Sequence, residues 1–196
     1  MSESSLRDRL REATAQDHAI LDARVADWRI ETPAGYAAFL LASAIALTPL
    51  ELALERAGVQ TWLPDWPVRA RRDALAADLA VLGVEVPVFE PAFVPSPDFG
   101  AGLLYTLEGS RLGARVLARQ ARGAMDDPPL AYLTHGQGRP LWRDFLTWLE
   151  SIPKVGSRTD AIKAGARYGF NRFSDAFEIV PSPQGLNVRT VVHDRV

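Results

Sequence analysis

The chain has 196 residues, 47% hydrophobic and 23% charged, with 22 Lys+Arg against 24 Asp+Glu and a net charge of -2. This is ordinary usage for one globular domain with a sizeable core, and it gives no electrostatic case for nucleic acid or an anionic membrane surface. With no cysteine, disulfides, thiolate metal sites and cysteine nucleophiles are excluded.

Helical periodicity runs through nearly the whole chain. Ser4 or Ser5 is positioned to cap a first helix reaching about Trp28. The polar, charged N-terminus is unlike a signal peptide, so a cytoplasmic protein is expected. Thr32-Pro33 pairs an N-cap with proline at the first helical position and opens a second helix, to about Ala57 and stopped by Gly58. Its apolar stretch, Tyr36–Leu54, reads as a core helix rather than a membrane span, since Pro49 and Glu51 interrupt it. A loop rich in Trp and Pro follows, then a third helix over about Val68–Leu82 that ends at Gly83. Four prolines between Pro87 and Pro97 mark an extended connection before a long helix over Phe99–Gly123. A short helix around Leu130–His135 and two further helices, Arg139–Ile152 and Arg158–Ile179, complete the pattern. The expected architecture is one all-α domain over residues 1–180. A tail over 181–196 follows it, with a β-like run at Leu186–Val192.

The long helix carries Gly102, Gly109 and Gly113 at spacings of seven and four, within about 40° of one face. Each glycine costs about 0.8–1 kcal/mol relative to alanine in a helix interior. Three on one stripe imply close backbone approach, by another helix or by a flat ligand. The first helix contributes a histidine at the border of its apolar face. With Leu6 at 0°, the residues Leu10, Ala13 and Leu21 fall near the core direction, while His18, Arg11 and Asp22 cluster near about 120–160°. A neutral imidazole is the commonest side-chain metal ligand, and a nearby cation suits a ligand with an anionic edge. His135 in a glycine-rich loop and His193 in the tail are weaker candidates. There is no His pair at i,i+4, no Glu-x-x-His, no P-loop and no G-x-S-x-G, which disfavours helical zinc or di-iron sites and serine hydrolysis.

Two of these segments together resemble the heme oxygenases. Arg11-Glu12-Ala13-Thr14-Ala15-Gln16-Asp17-His18 resembles the proximal helix, whose E-A-T-x-x-x-H run supplies the axial histidine. Leu104-Tyr105-Thr106-Leu107-Glu108-Gly109-Ser110-Arg111-Leu112-Gly113 resembles the distal helix of the bacterial members. Ala166-Arg167-Tyr168-Gly169-Phe170 through Phe177-Glu178 is similar to their last core helix, so the resemblance spans about Leu6–Glu178.

The resemblance implies an all-α bundle holding heme between a proximal and a distal helix. It implies cleavage of heme, as both cofactor and substrate, to biliverdin, CO and iron. His18 takes the place of the iron ligand, Arg11 that of a propionate contact, and Asp22 an acidic place beside the ligand histidine. Gly109, Ser110 and Gly113 form the catalytic distal wall, with Tyr105, Thr106 and Phe170 as further heme contacts and Gly102 at the margin. Ala114 stands where the family usually carries a second glycine, implying a stiffer distal helix. Partners implied are O2, an electron donor such as a ferredoxin or flavin reductase, and a photoreceptor that uses biliverdin. A heme-binding protein without turnover and a helical interaction protein are the competing readings. A thiaminase-like enzyme on a similar fold needs a cysteine this chain lacks.

Overall fold

The computed structural model describes residues 4–26, 28–91 and 93–180. Among them are seven α-helices: α1 (Leu6–Ala13), α2 (Ala15–Ala26), α3 (Pro33–Arg56), α4 (Arg72–Val81), α5 (Pro97–Ala124), α6 (Leu141–Glu150) and α7 (Gly156–Ile179). Helix starts follow local chemistry. Ser5, Thr32 and Ser96 each accept a hydrogen bond from the backbone N–H three residues on, at 3.0, 3.1 and 3.3 Å, and α3 and α5 open with proline.

Carboxylates from other parts of the chain cap the start of α1 a second time and the starts of two further helical or turn segments. Glu150 accepts from Leu6 N and Arg7 N, Glu51 from Arg71 N and Arg72 N, and Asp78 from Ala131 N and Tyr132 N. Each satisfies free N–H donors while joining distant parts of the sequence.

The core is built around α3, where Tyr36, Leu40, Leu47 and Leu54 are fully buried. This helix is long and apolar enough to cross a membrane by length and composition, yet 72% of its most apolar window is buried within the protein. It is continuous through Pro49. Leu6 and Leu10 of α1, Phe145 and Leu149 of α6, and Phe173 and Phe177 of α7 complete the apolar interior.

The expected first helix is broken in two. Thr14, at φ -110° and ψ 6°, leaves helical geometry, and its Oγ1 donates back to Leu10 O at 2.9 Å. Such back-bonding by threonine bends helices. A single helical wheel therefore does not relate Arg11 on α1 to His18 on α2. The third helix starts later than expected, at Arg72, because Trp66–Val68 forms a 3-10 turn. Residues 131–138 are turns rather than a short helix. The expected tail strand at Leu186–Val192 lies outside the described residues.

The closest packing is between α5 and α7. A Cβ on Gly102 would lie 2.0 Å from Ile162 O, one on Gly165 2.0 Å from Phe99 O, and one on Gly169 2.9 Å from Thr106 Cβ. Backbone meets backbone at Gly102 and Gly165, and the Thr106 side chain fills the space over Gly169; only glycine permits either approach. Gly113 is on the same stripe of α5, yet a Cβ there would meet nothing within 4 Å.

The two environments predict opposite responses to one added methyl group. Gly102→Ala lowers stability by about 1–3 kcal/mol through overpacking, and Gly113→Ala raises it by up to about 1 kcal/mol through helix propensity. Chemical denaturation of the two variants measures both. A second prediction concerns Glu150. Partial burial pushes its carboxyl up, but the Arg7 and Leu6 N–H groups and Lys154 outweigh this and hold it below its ordinary 4.5. A carboxyl depressed on folding stabilises above that ordinary value, and the contribution is lost as pH falls through the folded one. Glu150→Gln therefore costs about 0.5–2 kcal/mol at neutral pH and flattens the acid limb of the stability profile below pH 4.5.

Candidate functional site

Helices α2 and α5 both lie on α7 and run parallel to it. Along α2, Ala13 O accepts from Arg167 Nε at 2.9 Å, the His18 ring lies 5.7 Å from that of Phe170, and Arg24 Nη1 donates to Ser174 O at 3.0 Å. Along α5, Gly165 packs on Phe99, Gly169 packs on Thr106, and Thr106 Oγ1 donates to Ala166 O at 2.9 Å. Partners ascend together in both series, which fixes the common direction.

The two flanking helices start from a shared contact. The Tyr105 hydroxyl lies beside Thr14 at the break between α1 and α2, and burial raises its pKa against the opposing influence of Arg7, Arg11 and Thr14. Four residues beyond that contact, about 6 Å along each helix, stand His18 on α2 and Gly109 on α5. Four further on stand Asp22 and Gly113. Between these levels α5 leaves α7: the stripe that touches backbone at Gly102 is uncovered at Gly113. The result is a wedge with α2 on one wall, α5 on the other and Phe170 of α7 beneath His18.

The chemistry of the walls is asymmetric. On α5, Gly109 would bring a Cβ no closer than 3.8 Å, to the Trp142 ring edge. Leu112 and Val116 on the same side are 48% and 45% exposed. Apolar groups left uncovered beside bare backbone suit a flat apolar ligand. On α2, His18 Nδ1 lies 2.9 Å from Asp22 Oδ2, with the imidazole more than half exposed. When Nδ1 donates to that carboxylate, Nε2 carries the free lone pair, the usual second-shell arrangement of a metal-bound histidine. Among the described residues no cluster of three His, Cys, Asp or Glu side chains could hold a free metal ion. A single histidine facing an apolar slot instead matches an iron whose other ligands come from a macrocycle.

The other expected site residues occupy different settings. Arg11 is exposed at the end of α1, 3.6 Å from Asp8. Thr106 is buried in the α5–α7 crossing. Ser110 points off the glycine stripe, donating to Leu107 O at 2.7 Å and accepting from Arg71 Nη2 at 2.9 Å. Ala114 is buried, about 140° around the helix from Gly109, so it does not narrow the wedge. Sequence reasoning missed Trp142 and the apolar pair Leu112 and Val116. It also missed a buried charge network behind α5. Arg69 donates to Glu108 at 2.7 Å, to both oxygens of Asp65 at 2.7 Å and to Leu141 O at 2.9 Å. Arg111 donates to both Glu108 oxygens, at 3.1 and 3.0 Å, and to Arg69 O. This network fixes the stretch of α5 where it leaves α7.

Comparison with known proteins converges on one family. No family model matches the chain. A Xanthomonas campestris pv. campestris protein named heme oxygenase is 39% identical over 114 residues, spanning 55% of this chain and 67% of that protein. The heme oxygenase PigA of Pseudomonas aeruginosa is 30% identical over 151 residues, spanning 73% of this chain and 76% of that one. Among solved structures, the NO- and CO-bound heme oxygenase from Neisseria meningitidis superposes with a TM-score of 0.77 at 22% identity, over 94% of this chain and 99% of that one. The heme oxygenase from Leptospira interrogans gives 0.68 at 20% identity, over 89% and 98%.

Removing the carboxylate shared by Arg69 and Arg111 leaves two guanidiniums in the interior without it. Glu108→Ala is expected to lower stability by about 3–5 kcal/mol, measured by denaturant unfolding of the apoprotein.

Proposed function

This chain belongs to the heme oxygenase family, and on that premise we propose that heme lies in the wedge between α2 and α5, with His18 as its proximal iron ligand. The observation that carries this reading is the pairing of levels along the wedge. His18 and Gly109 stand at equal distance from the Thr14–Tyr105 contact, on opposite walls, with Asp22 and Gly113 one turn further.

When bound, heme supplies the iron at which O2 is reduced, and its own macrocycle is the part oxidised. The protein's residues do the rest. Asp22 orients the His18 ring by accepting from Nδ1, which directs the Nε2 lone pair into the slot. Gly109 and Gly113 let the α5 backbone lie against the distal face where any larger side chain would intrude. Leu112 and Val116 give the slot an apolar lining, and Phe170 backs the imidazole. Arg11, at the end of α1 near the Tyr105 hydroxyl, is placed for a carboxylate at the edge of the ligand. Ser110 acts as a positioning residue: through Arg71 it ties α5 to the start of α4. Thr106 contributes through the helix crossing that sets the depth of the wedge.

The products are biliverdin, CO and iron. Electrons come from a ferredoxin or a flavin reductase, and biliverdin passes to a photoreceptor or is discarded with iron retained. A cytoplasmic setting, where reductants and heme are available, fits this chemistry.

Hemin added to the apoprotein is expected to give a 1:1 Soret shift that His18→Ala weakens or moves, and reductant in air converts the spectrum to that of biliverdin. No Soret change would overturn the site; a stable ferric or ferrous–oxy spectrum would mark a binder without turnover. Gly113→Leu, which meets no protein atom near its Cβ, is expected to fold normally and lose biliverdin formation. Full turnover by that variant would refute the close approach of α5.

A further inference from the structure

The face of α5 turned away from the glycines borders a second cavity, of about 660 Å³, enclosed by residues 132–140 and the start of α6. Ala114 and Ala118 leave room for it, and Tyr132 and Trp142 supply aromatic walls. Seven arginines line it and no aspartate or glutamate does, in a chain with more acids than bases. Arg115, Arg119 and Arg122 approach at i, i+4 and i+7 along α5, with Arg139 opposite them. Among the described residues none of these four makes an ion pair.

The depth of the cavity is more telling than its rim. Arg71 is 2% exposed; among the described residues its guanidinium donates to Leu107 O and Ser110 Oγ, both through Nη2, lies 5.2 Å over the Tyr132 ring and has no carboxylate in ion-pair contact. The carboxylate of Glu51 is bonded to the backbone N–H of Arg71, not to the guanidinium. A charge buried without an anionic partner is expensive, and proteins retain such groups where a ligand supplies the counter-charge. Arg111 lies beside it, its pKa lowered by burial and by Arg71. His135 on the same wall is pushed down by burial and by Arg111, Arg71 and Arg139, which registers the positive field.

We propose that this cavity binds a small polyanion, a molecule presenting two or more phosphate or carboxylate groups. Arg71 and Arg111 take one group at depth, and Arg115, Arg119, Arg122 and Arg139 take the other at the rim. Guanidinium forks match both oxyanion types, and the aromatic walls accommodate a planar body between them. The site lies around α5 from the glycines, shares only Leu112 and Trp142 with the wedge side, and does not depend on heme.

Calorimetry on the full chain, with and without hemin, tests the proposal using inorganic pyrophosphate and citrate as probes and sodium chloride at equal ionic strength as control. Saturable 1:1 binding of pyrophosphate alone assigns phosphates, of citrate alone carboxylates, and of both a general polyanion site. The exposed pair Arg119→Ser and Arg122→Ser, checked for folding by circular dichroism, is expected to weaken the affinity at least tenfold while leaving the hemin Soret titration unchanged. The proposal is overturned if neither probe binds, if sodium chloride reproduces the heat, or if the double variant binds as tightly as the parent.

Discussion

Everything in this molecule depends on how closely α5 and α7 cross. At Gly102 and Gly165 the two helices touch backbone to backbone, and at Gly169 only the small Thr106 side chain lies between them. That contact sets a short interaxial distance in the first half of α5 and makes it a buried strut, with residues 100–104 all inside. Because the approach is so close at one end, even a small crossing angle opens space along the rest of α5. The wedge is the geometric consequence of a tight crossing followed by divergence, and its depth is set by Thr106 seated on Gly169.

The glycine stripe shows what the sequence reveals and what it hides. Its spacing announces close approach, and two causes fit the pattern equally. The structure separates them: Gly102 serves the helix crossing, while Gly109 and Gly113 have no helix against them. The period of 3.6 places all three on one side but carries no information about where a neighbouring helix departs. The break at Thr14 was hidden for a related reason. Threonine is tolerated inside helices, and only its bond back to Leu10 O and the Tyr105 contact identify it as the corner between α1 and α2. By contrast, Thr32-Pro33 and Gly58 carry their instructions locally, and those boundaries were legible from the residues alone, whereas Ser96-Pro97 opens α5 two residues before the expected start because Pro97 reads equally well as the end of a proline-rich connection. The Trp-rich loop was not, since a 3-10 turn and an α-helical start look alike in composition.

The buried charges have a common logic. Glu51, Asp78 and Glu150 each cap backbone N–H groups of a distant segment. Arg69, Glu108 and Arg111 form a ladder behind α5 that also captures Leu141 O and Arg69 O. Such ionic groups add less net stability than apolar packing of equal volume, but they define one arrangement, because any other leaves a charge unpaired in the interior. A helix that must present bare backbone to a ligand on one face cannot be fixed by side chains on that face. Fixing it from behind, with directional bonds, resolves the conflict.

The two sides of α5 therefore have opposite requirements. On the wedge side, the helix gives up side chains, exposes Leu112 and Val116, and accepts the entropy cost of two solvent-facing glycines. None of this is explained by the stability of the apoprotein, which each feature reduces. It is explained if a ligand covers the surface, since binding to the folded state alone restores stability by mass action. The rear side poses the same question in electrostatic terms. Arg71 is buried, held by a carbonyl and a hydroxyl, and faces a cavity with no carboxylate on its walls. An apolar stripe and a cationic cavity on different faces of one helix each offer a surface to a second molecule, and the two surfaces are of opposite chemical character.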